Sequence, residues 1–355
     1  MKKTAAIILA FLFTLSIPLS GCSQAGESND AGYNVICTVF PIYDWTRQIL
    51  GDNAANFNLS LLLSNKIDLH NYQPSVDDIV RISTCDLFIY VGGGSDNWID
   101  NVLAKATNPN MIVISLLDIL GDMAKIEEII EGMEDDDHEY DHGSEDADDH
   151  DHDHADDHDH EDEVHPGKDD HKHVNETELD EHVWLSLRNA QLFCAEITGA
   201  LSSLDANNAG EFRNNLGSLT DKLSALDKEY QAAVNAAANK TLLFGDRFPF
   251  RYLVDDYGIS YYAAFAGCSA ETEASFETII FLAEKLDELN LNNVMVTESA
   301  DQTIARTVIS NSKSKNQKIL VLDAMQSVTS SDVQNGTTYF SIMEKNLDVL
   351  KEALT

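Results

Sequence analysis

The chain has 355 residues, enough for about two domains, and its 23 basic and 61 acidic side chains give a formal net charge of −38. This balance excludes nucleic acid and the anionic membrane surface as electrostatic partners, and it favours cations. Residues 134–173 hold 20 of the acidic side chains and ten of the twelve histidines. His70 and His182 lie elsewhere and are the first candidates for a folded site.

The N-terminal segment has the features of a leader. Two lysines precede an uncharged, mostly apolar run over residues 4–19, which is too short for a comfortable transmembrane helix. It ends in Leu-Ser-Gly-Cys, which looks like a bacterial lipobox, and cleavage before Cys22 would leave a cysteine that carries lipid. The alternative is an ordinary signal peptide with a chance cysteine. We expect an extracytoplasmic protein, lipid-anchored to the bacterial cell membrane through a polar tether.

Strand-like and helical runs alternate along the rest of the chain. The strand-like runs, rich in Val, Ile and aromatic residues, are 34–40, 57–63, 86–92 and 111–116, then 240–245, 260–265, 292–297 and 318–322. Alternation with helical stretches indicates parallel sheets that are buried on both faces. The predicted fold class is therefore α/β, with two doubly wound lobes that bind ligands at the carboxyl ends of their strands.

A long amphipathic helix is predicted between the lobes. Apolar residues recur every three or four positions over about 205–237, with no proline. Some thirty helical residues would span on the order of 45 Å and act as a stiff strut. The predicted organisation is a signal peptide (1–21), a tether (22–32), an N-terminal lobe (33–204) with an Asp/His-rich insertion (134–173), the linking helix (205–237) and a C-terminal lobe (238–355).

The remaining four cysteines, at 37, 85, 194 and 268, contain no Cys-x-x-Cys spacing, so neither a zinc ribbon nor a thioredoxin-type site is indicated. Cys37 and Cys85 lie in apolar runs and are expected to be small buried side chains. The sequence is compatible with a disulfide between two of these cysteines.

Two histidines occur in loops where α/β proteins hold ligands. His70 lies in Ile-Asp-Leu-His-Asn-Tyr-Gln-Pro, between the second strand and a helix, and His182 lies in Asp-Glu-His-Val-Trp-Leu, just before another helix. Each alone would more often be a solvent-facing loop histidine. Together, the segments resemble the Asp-Pro-His-Ser-Tyr-Glu-Pro-Thr and Asp-Pro-His-Val-Trp-Leu motifs of the metal-specific solute-binding lipoproteins of bacterial ABC transporters. The intervening His-rich insertion resembles the loop of that family's zinc-binding branch.

The resemblance implies a protein that captures Zn²⁺ between two lobes and delivers it to a membrane permease, with Mn²⁺ the less favoured ion. Of the family's four ligands, two carry over to His70 and His182, and the carboxylate after the last strand carries over to Asp323. At the third position the family has Phe-His-Asp-Ala-Phe, whereas this chain has glycine at 245. Bound water or an insertion histidine is favoured over Asp246 as the third ligand. If the position is open, Gly245→His should tighten zinc binding, unless the glycine needs a positive φ.

Two other classes of protein also fit parts of the sequence, a zinc-dependent hydrolase and a surface adhesin. Two histidines, a carboxylate and an open position also describe a catalytic zinc site, but no His-Glu-x-x-His helix and no general base can be nominated, so no enzymatic activity is predicted. A surface adhesin ranks last. Imidazole ligands favour zinc over the hard ions Mg²⁺ and Ca²⁺. A monomer is expected. In the insertion, a role as solubilising spacer competes with low-affinity metal collection, which we favour, by His150, His152, His154, His158 and His160.

Overall fold

Two parallel four-stranded sheets organise the molecule. The computed structural model describes residues 32–64, 67–134, 178–269 and 273–355. The leader, the tether and Cys22 lie outside these residues, as do nearly all of the insertion and its candidate ligands His150, His152, His154, His158 and His160. The predictions for those segments therefore stay predictions.

The first lobe contains strands β1–β4 in the order β2-β1-β3-β4, all parallel. Its elements are β1 Tyr33–Cys37, α1 Phe40–Leu50, β2 Phe57–Leu61, α2 Val76–Thr84, β3 Leu87–Tyr90, α3 Trp98–Leu103, β4 Ile112–Ser115 and α4 Leu116–Leu120. The four predicted strands are confirmed, each within a few residues of its expected bounds. Local chemistry sets the helix starts: Ser75 and Asp78 form a capping box at α2, for example.

The second lobe repeats this arrangement with the order β6-β5-β7-β8. Its elements, after α5 Leu187–Leu204 and α6 Ala209–Ala236, are β5 Thr241–Phe248, α7 Arg251–Tyr257, β6 Ser260–Ala266, α8 Phe276–Glu288, β7 Asn293–Thr297, α9 Thr303–Asn311, β8 Lys318–Leu322, α10 Ser330–Gln334 and α11 Tyr339–Ala353. Adjacent β5 residues enter different cores, Phe244 the main one and Leu243 a second one under the other face. The sheet is thus buried on both sides, as its continuous apolar strands predicted.

Buried packing ties the lobes together. Helix α6, with 28 residues, lies within the predicted range, and Tyr230 on it donates from its hydroxyl to the carbonyl of Met343 on α11 (2.6 Å). The hydroxyl of Tyr339, at the start of α11, donates to the carbonyl of Trp184 (2.7 Å), and the backbone N–H of Tyr339 donates to the buried carboxylate of Asp44 on α1 (2.8 Å). The C-terminal helix therefore packs on elements of the first lobe.

Two further features of the described residues are the state of the cysteines and the character of the helices. All four described cysteines are free thiols, and Cys37 and Cys85 are fully buried, as predicted. Among the helices of the described residues, none combines the length and the apolar character that a membrane crossing requires.

Gly245 lies inside the second lobe and faces helix α9. A Cβ atom built on this residue would lie 2.6 Å from the Cα of Ala305 and 2.9 Å from its Cβ. The backbone here does not have a positive φ, so the close approach of the helix is what requires glycine. The position is therefore not open, and the condition under which Gly245→His is expected to tighten zinc binding is not met, because a side chain at 245 would meet α9.

We expect Gly245→Ala to lower the free energy of unfolding by about 1–3 kcal/mol, the usual cost of forcing an extra group into a packed core. Gly217→Ala is the matched control, because that glycine lies on the exposed face of α6 with nothing within 4 Å of a new Cβ. It should be neutral or stabilise by up to about 1 kcal/mol. Thermal unfolding of both variants checks this, and an unchanged melting temperature for Gly245→Ala would contradict the packing argument.

Candidate metal centre

Both candidate histidines are held by the same kind of turn. His70 lies in a 3₁₀ turn, Leu69–Asn71, after β2, and the carboxylate of Asp68 accepts its backbone N–H (3.1 Å). His182 directly precedes the 3₁₀ turn Val183–Leu185, and the carboxylate of Asp180 accepts its backbone N–H (2.8 Å). In each motif the aspartate two residues before the histidine thus fixes the turn, as short acidic side chains do in Asx turns.

The two imidazole rings face each other through their Nε2 atoms. His70 Nε2 lies 3.2 Å from His182 Nε2, with ring centroids 5.1 Å apart, although 112 residues separate them in the chain. His182 Nδ1 lies 3.1 Å from Asp180 Oδ1, and His70 Nδ1 lies 2.8 Å from the hydroxyl of Ser95. The carboxylate of Asp180 at Nδ1 favours the tautomer of His182 with hydrogen on Nδ1, which leaves its Nε2 as an acceptor.

The surroundings of His70 are negatively charged. Glu181 Oε2 lies 3.3 Å from His70 Nδ1, and Glu181 Oε1 accepts the backbone N–H of Ser95 (2.7 Å). Burial lowers the pKa of His70, but the hydrogen bond and charge of Glu181 and the charge of Asp68 outweigh it, so the pKa lies above its ordinary value. Burial also raises the pKa of Glu181, and hydrogen bonds from His70 and Ser95 reverse this, so that carboxyl stays ionised. The cleft is therefore built for positive charge.

Cys268 joins the two histidines. It lies in the loop that follows β6, and its Sγ and one ring nitrogen from each histidine all lie within 4.8 Å of one another. Within the described ranges, these three side chains form the group of His, Cys, Asp and Glu residues with the spacing of metal ligands. Burial raises the pKa of the Cys268 thiol well above its usual range, and the nearby carboxylates of Glu127 and Asp180 raise it further.

Asp323, directly after β8, is not part of this group. Its Oδ1 accepts the backbone N–H of Met325 (2.8 Å), and burial, with the charge of Glu298, raises the pKa of its carboxyl to about 7. The nearer side chain from that loop is Gln326, whose Nε2 lies 2.7 Å from His182 Nε2. The amide of Gln326 can donate to His182 Nε2 at this distance, in agreement with hydrogen on Nδ1. The role of Asp323 as a ligand stays a prediction.

The residues beside Gly245 are engaged elsewhere. Asp246 accepts the backbone N–H of Thr297 (2.8 Å) and its hydroxyl (2.5 Å), so its carboxylate is directed at β7. Arg247 forms an ion pair with Asp68 across the cleft, Nη2 to Oδ2 at 3.0 Å.

Sequence reasoning missed Cys268 and Gln326 as members of the site. A signal for Cys268 exists, because it follows the second strand of the second lobe, just as His70 follows the second strand of the first lobe. Related positions in two repeated lobes bring side chains to the same cleft. Gln326 lies three residues after Asp323, and nothing in the spacing distinguishes it.

Comparison with known proteins gives one consistent result. The model of the family described as "Zinc-uptake complex component A periplasmic" matches residues 35–353. "Zinc-binding lipoprotein AdcA" of Streptococcus pneumoniae is 29% identical over 352 residues, 99% of this chain and 61% of that protein. "High-affinity zinc uptake system protein ZnuA" of Bacillus subtilis is 26% identical over 99% of this chain and 98% of that protein. The crystal structure of Zn(II)-bound AdcA from Streptococcus pneumoniae superposes with a TM-score of 0.65 at 25% identity, covering 91% of this chain and 58% of that one. The chain thus spans about three fifths of its streptococcal relatives.

Replacing Glu181 tests the electrostatics of the centre in the metal-free protein. Glu181→Gln removes the negative charge that favours the imidazolium, so the pKa of His70 should fall towards or below its ordinary value of about 6.5. NMR titration of the histidine ring protons measures this directly. The control is Glu178→Gln, at an exposed carboxylate on the same segment, which should leave the pKa of His70 unchanged. Equal pKa values in the wild type and in Glu181→Gln would contradict the assignment.

Proposed function

The chain belongs to the zinc-uptake complex component A family, and on that premise we propose that it captures Zn²⁺ between its two lobes and delivers it to the membrane permease of an ABC transporter. His70 and His182 are its proposed ligands, together with Asp323. Capture and release need no chemical step, and we propose binding and transfer rather than hydrolysis.

One observation carries this proposal, the 3.2 Å between the Nε2 atoms of His70 and His182. Two nitrogens bound to one tetrahedral zinc at 2.0–2.1 Å lie about 3.3 Å apart. When both rings carry their hydrogen on Nδ1, one zinc ion can accept both Nε2 lone pairs, and at His182 it takes the place of the Gln326 amide hydrogen. The acceptors at both Nδ1 atoms, Asp180 and Ser95, are the outer partners that orient metal-binding imidazoles.

The donor types favour zinc over manganese. Neutral imidazole suits zinc, copper and nickel, whereas manganese prefers carboxylate, carbonyl and water oxygens. Asp323 alone would be a carboxylate ligand in the proposed set, which leaves manganese the less favoured cargo.

The location follows from the leader and the family. We propose that the mature protein is extracytoplasmic and monomeric, held at the membrane by lipid on Cys22 and within reach of its permease. The Asp/His-rich insertion would collect zinc weakly near the cleft, through His150, His152, His154, His158 and His160. Glu134 anchors its start to the second lobe, because the backbone N–H of Glu134 donates to the carbonyl of Ala264 (2.9 Å).

We expect His182→Ala to weaken zinc binding by more than the roughly 100-fold that loss of an outer partner costs, because it removes a ligand outright. His152→Ala should change the tight site little, since ten histidines of the insertion can substitute for one another. Calorimetric titration against a competing chelator separates the tight site from weak ones. His182 is fully buried, so circular dichroism should first establish that the variant is folded.

Deleting residues 135–173, with Glu134 kept, serves as the background control. The shortened protein should still bind about one zinc tightly and lose the weak sites. Equal effects of His182→Ala and His152→Ala, or loss of all tight binding on deletion, would place the site in the insertion instead.

A further inference from the structure

Cys268 differs from the other described cysteines in where it lies. Cys37, Cys85 and Cys194 are fully buried within the main apolar core. Cys268 is half-buried at the cleft between the lobes, among the side chains of the metal centre. A free cysteine in a core is explained by packing, whereas packing does not explain a thiol among imidazoles and carboxylates.

The loop that carries Cys268 is held close to the histidines. The backbone N–H of Cys268 donates to Glu127 Oε1 (2.6 Å), which ties the loop to the first lobe. Gly267 allows the approach, because a Cβ there would lie 3.2 Å from His182 Cε1 and 2.9 Å from the carbonyl oxygen of Phe248. The backbone is therefore arranged to bring this thiol to His182.

The thiol also lies where a ligand is needed. A zinc ion bound to both Nε2 atoms requires further donors, and Gly245 supplies none because it faces α9. A sulfur at 2.3 Å and a nitrogen at 2.0–2.1 Å on one tetrahedral zinc lie about 3.5 Å apart. The three candidate atoms already lie within 4.8 Å of one another, so a shift of about an ångström brings Sγ into coordination.

We propose that Cys268 is a metal ligand, and that its thiolate binds the ion alongside His70 and His182 from the opposite lobe. The inference rests on the proposed function and deepens it. On binding, aqueous Zn²⁺ exchanges a water for the sulfur, the S–H bond breaks, a zinc–sulfur bond forms and the proton passes to solvent. No electrons are transferred.

A thiolate changes which ions the site accepts. Soft sulfur strengthens binding of zinc and of other thiophilic ions relative to manganese, whose preferred ligands are oxygens. The site would then bridge the lobes through one ion, with two nitrogens from one side and one sulfur from the other. Proton release on binding should also be larger than for a site of imidazoles alone.

The test uses cobalt(II) as the probe, in the chain from Ser23 to Thr355, which omits the thiol of Cys22. Thiolate bound to cobalt gives an intense near-ultraviolet charge-transfer band that imidazoles and carboxylates do not produce, so insertion histidines do not interfere. We expect the band in the wild type and its loss in Cys268→Ser, together with at least a 10-fold weaker zinc affinity. Cys85→Ser is the matched control, since Cys85 Sγ donates to the carbonyl of Ile82 (3.2 Å), a bond that serine can keep. It should retain both band and affinity.

If Cys268→Ser does not fold, alkylation of the wild-type protein provides a second test. In the wild type, zinc should protect Cys268 from iodoacetamide, as read by peptide mapping. Tight cobalt binding without the band, or a Cys268→Ser variant that keeps both band and affinity, would overturn the assignment and leave the proposed function standing. A wild-type protein that binds neither zinc nor cobalt tightly would overturn both.

Discussion

The fixed packing of one lobe against the other is the constraint on which the cleft depends. Trp184, two residues after His182, is buried and donates from its indole to the carbonyl of Ala324 in the second lobe (3.0 Å), while its own carbonyl accepts the hydroxyl of Tyr339. Close-packed interiors have low compressibility, so a shift in one element is transmitted to the elements packed against it. This packing therefore fixes the facing Nε2 atoms of His70 and His182, and it brings Cys268 of the second lobe within 4.8 Å of both histidines.

Negative charge around the two histidines acts together with the packing of the lobes. The carboxylates of Asp68, Asp180 and Glu181 fix the two turns and orient the two rings, and they place negative charge around the facing nitrogens. Arg247 balances part of that charge through Asp68 without reaching the facing Nε2 atoms. The cleft thus presents negative charge, and in the proposed centre the donor types would select among cations. The strongly acidic insertion also carries negative charge, which attracts cations over a longer range.

Much of this could be predicted from the sequence, because the relevant signals are local. The eight strands and the long helix follow from apolar periodicity, and the two Asp-x-His turns follow from side chains two residues apart. The family resemblance, based on two motifs, is confirmed by the family model over residues 35–353. What could not be predicted depends on three-dimensional packing. Helix α9 occupies the space where a side chain at position 245 would lie, and Cys268 lies near His70 because of how the two lobes pack.

The most direct test of this account is zinc K-edge X-ray absorption on the protein lacking residues 135–173 and loaded with one equivalent of zinc. The account predicts nitrogen or oxygen neighbours at about 2.0–2.1 Å, with imidazole scattering, and one sulfur at about 2.3 Å. A shell of nitrogen and oxygen alone would contradict the role of Cys268. A spectrum without imidazole scattering would contradict the centre as a whole.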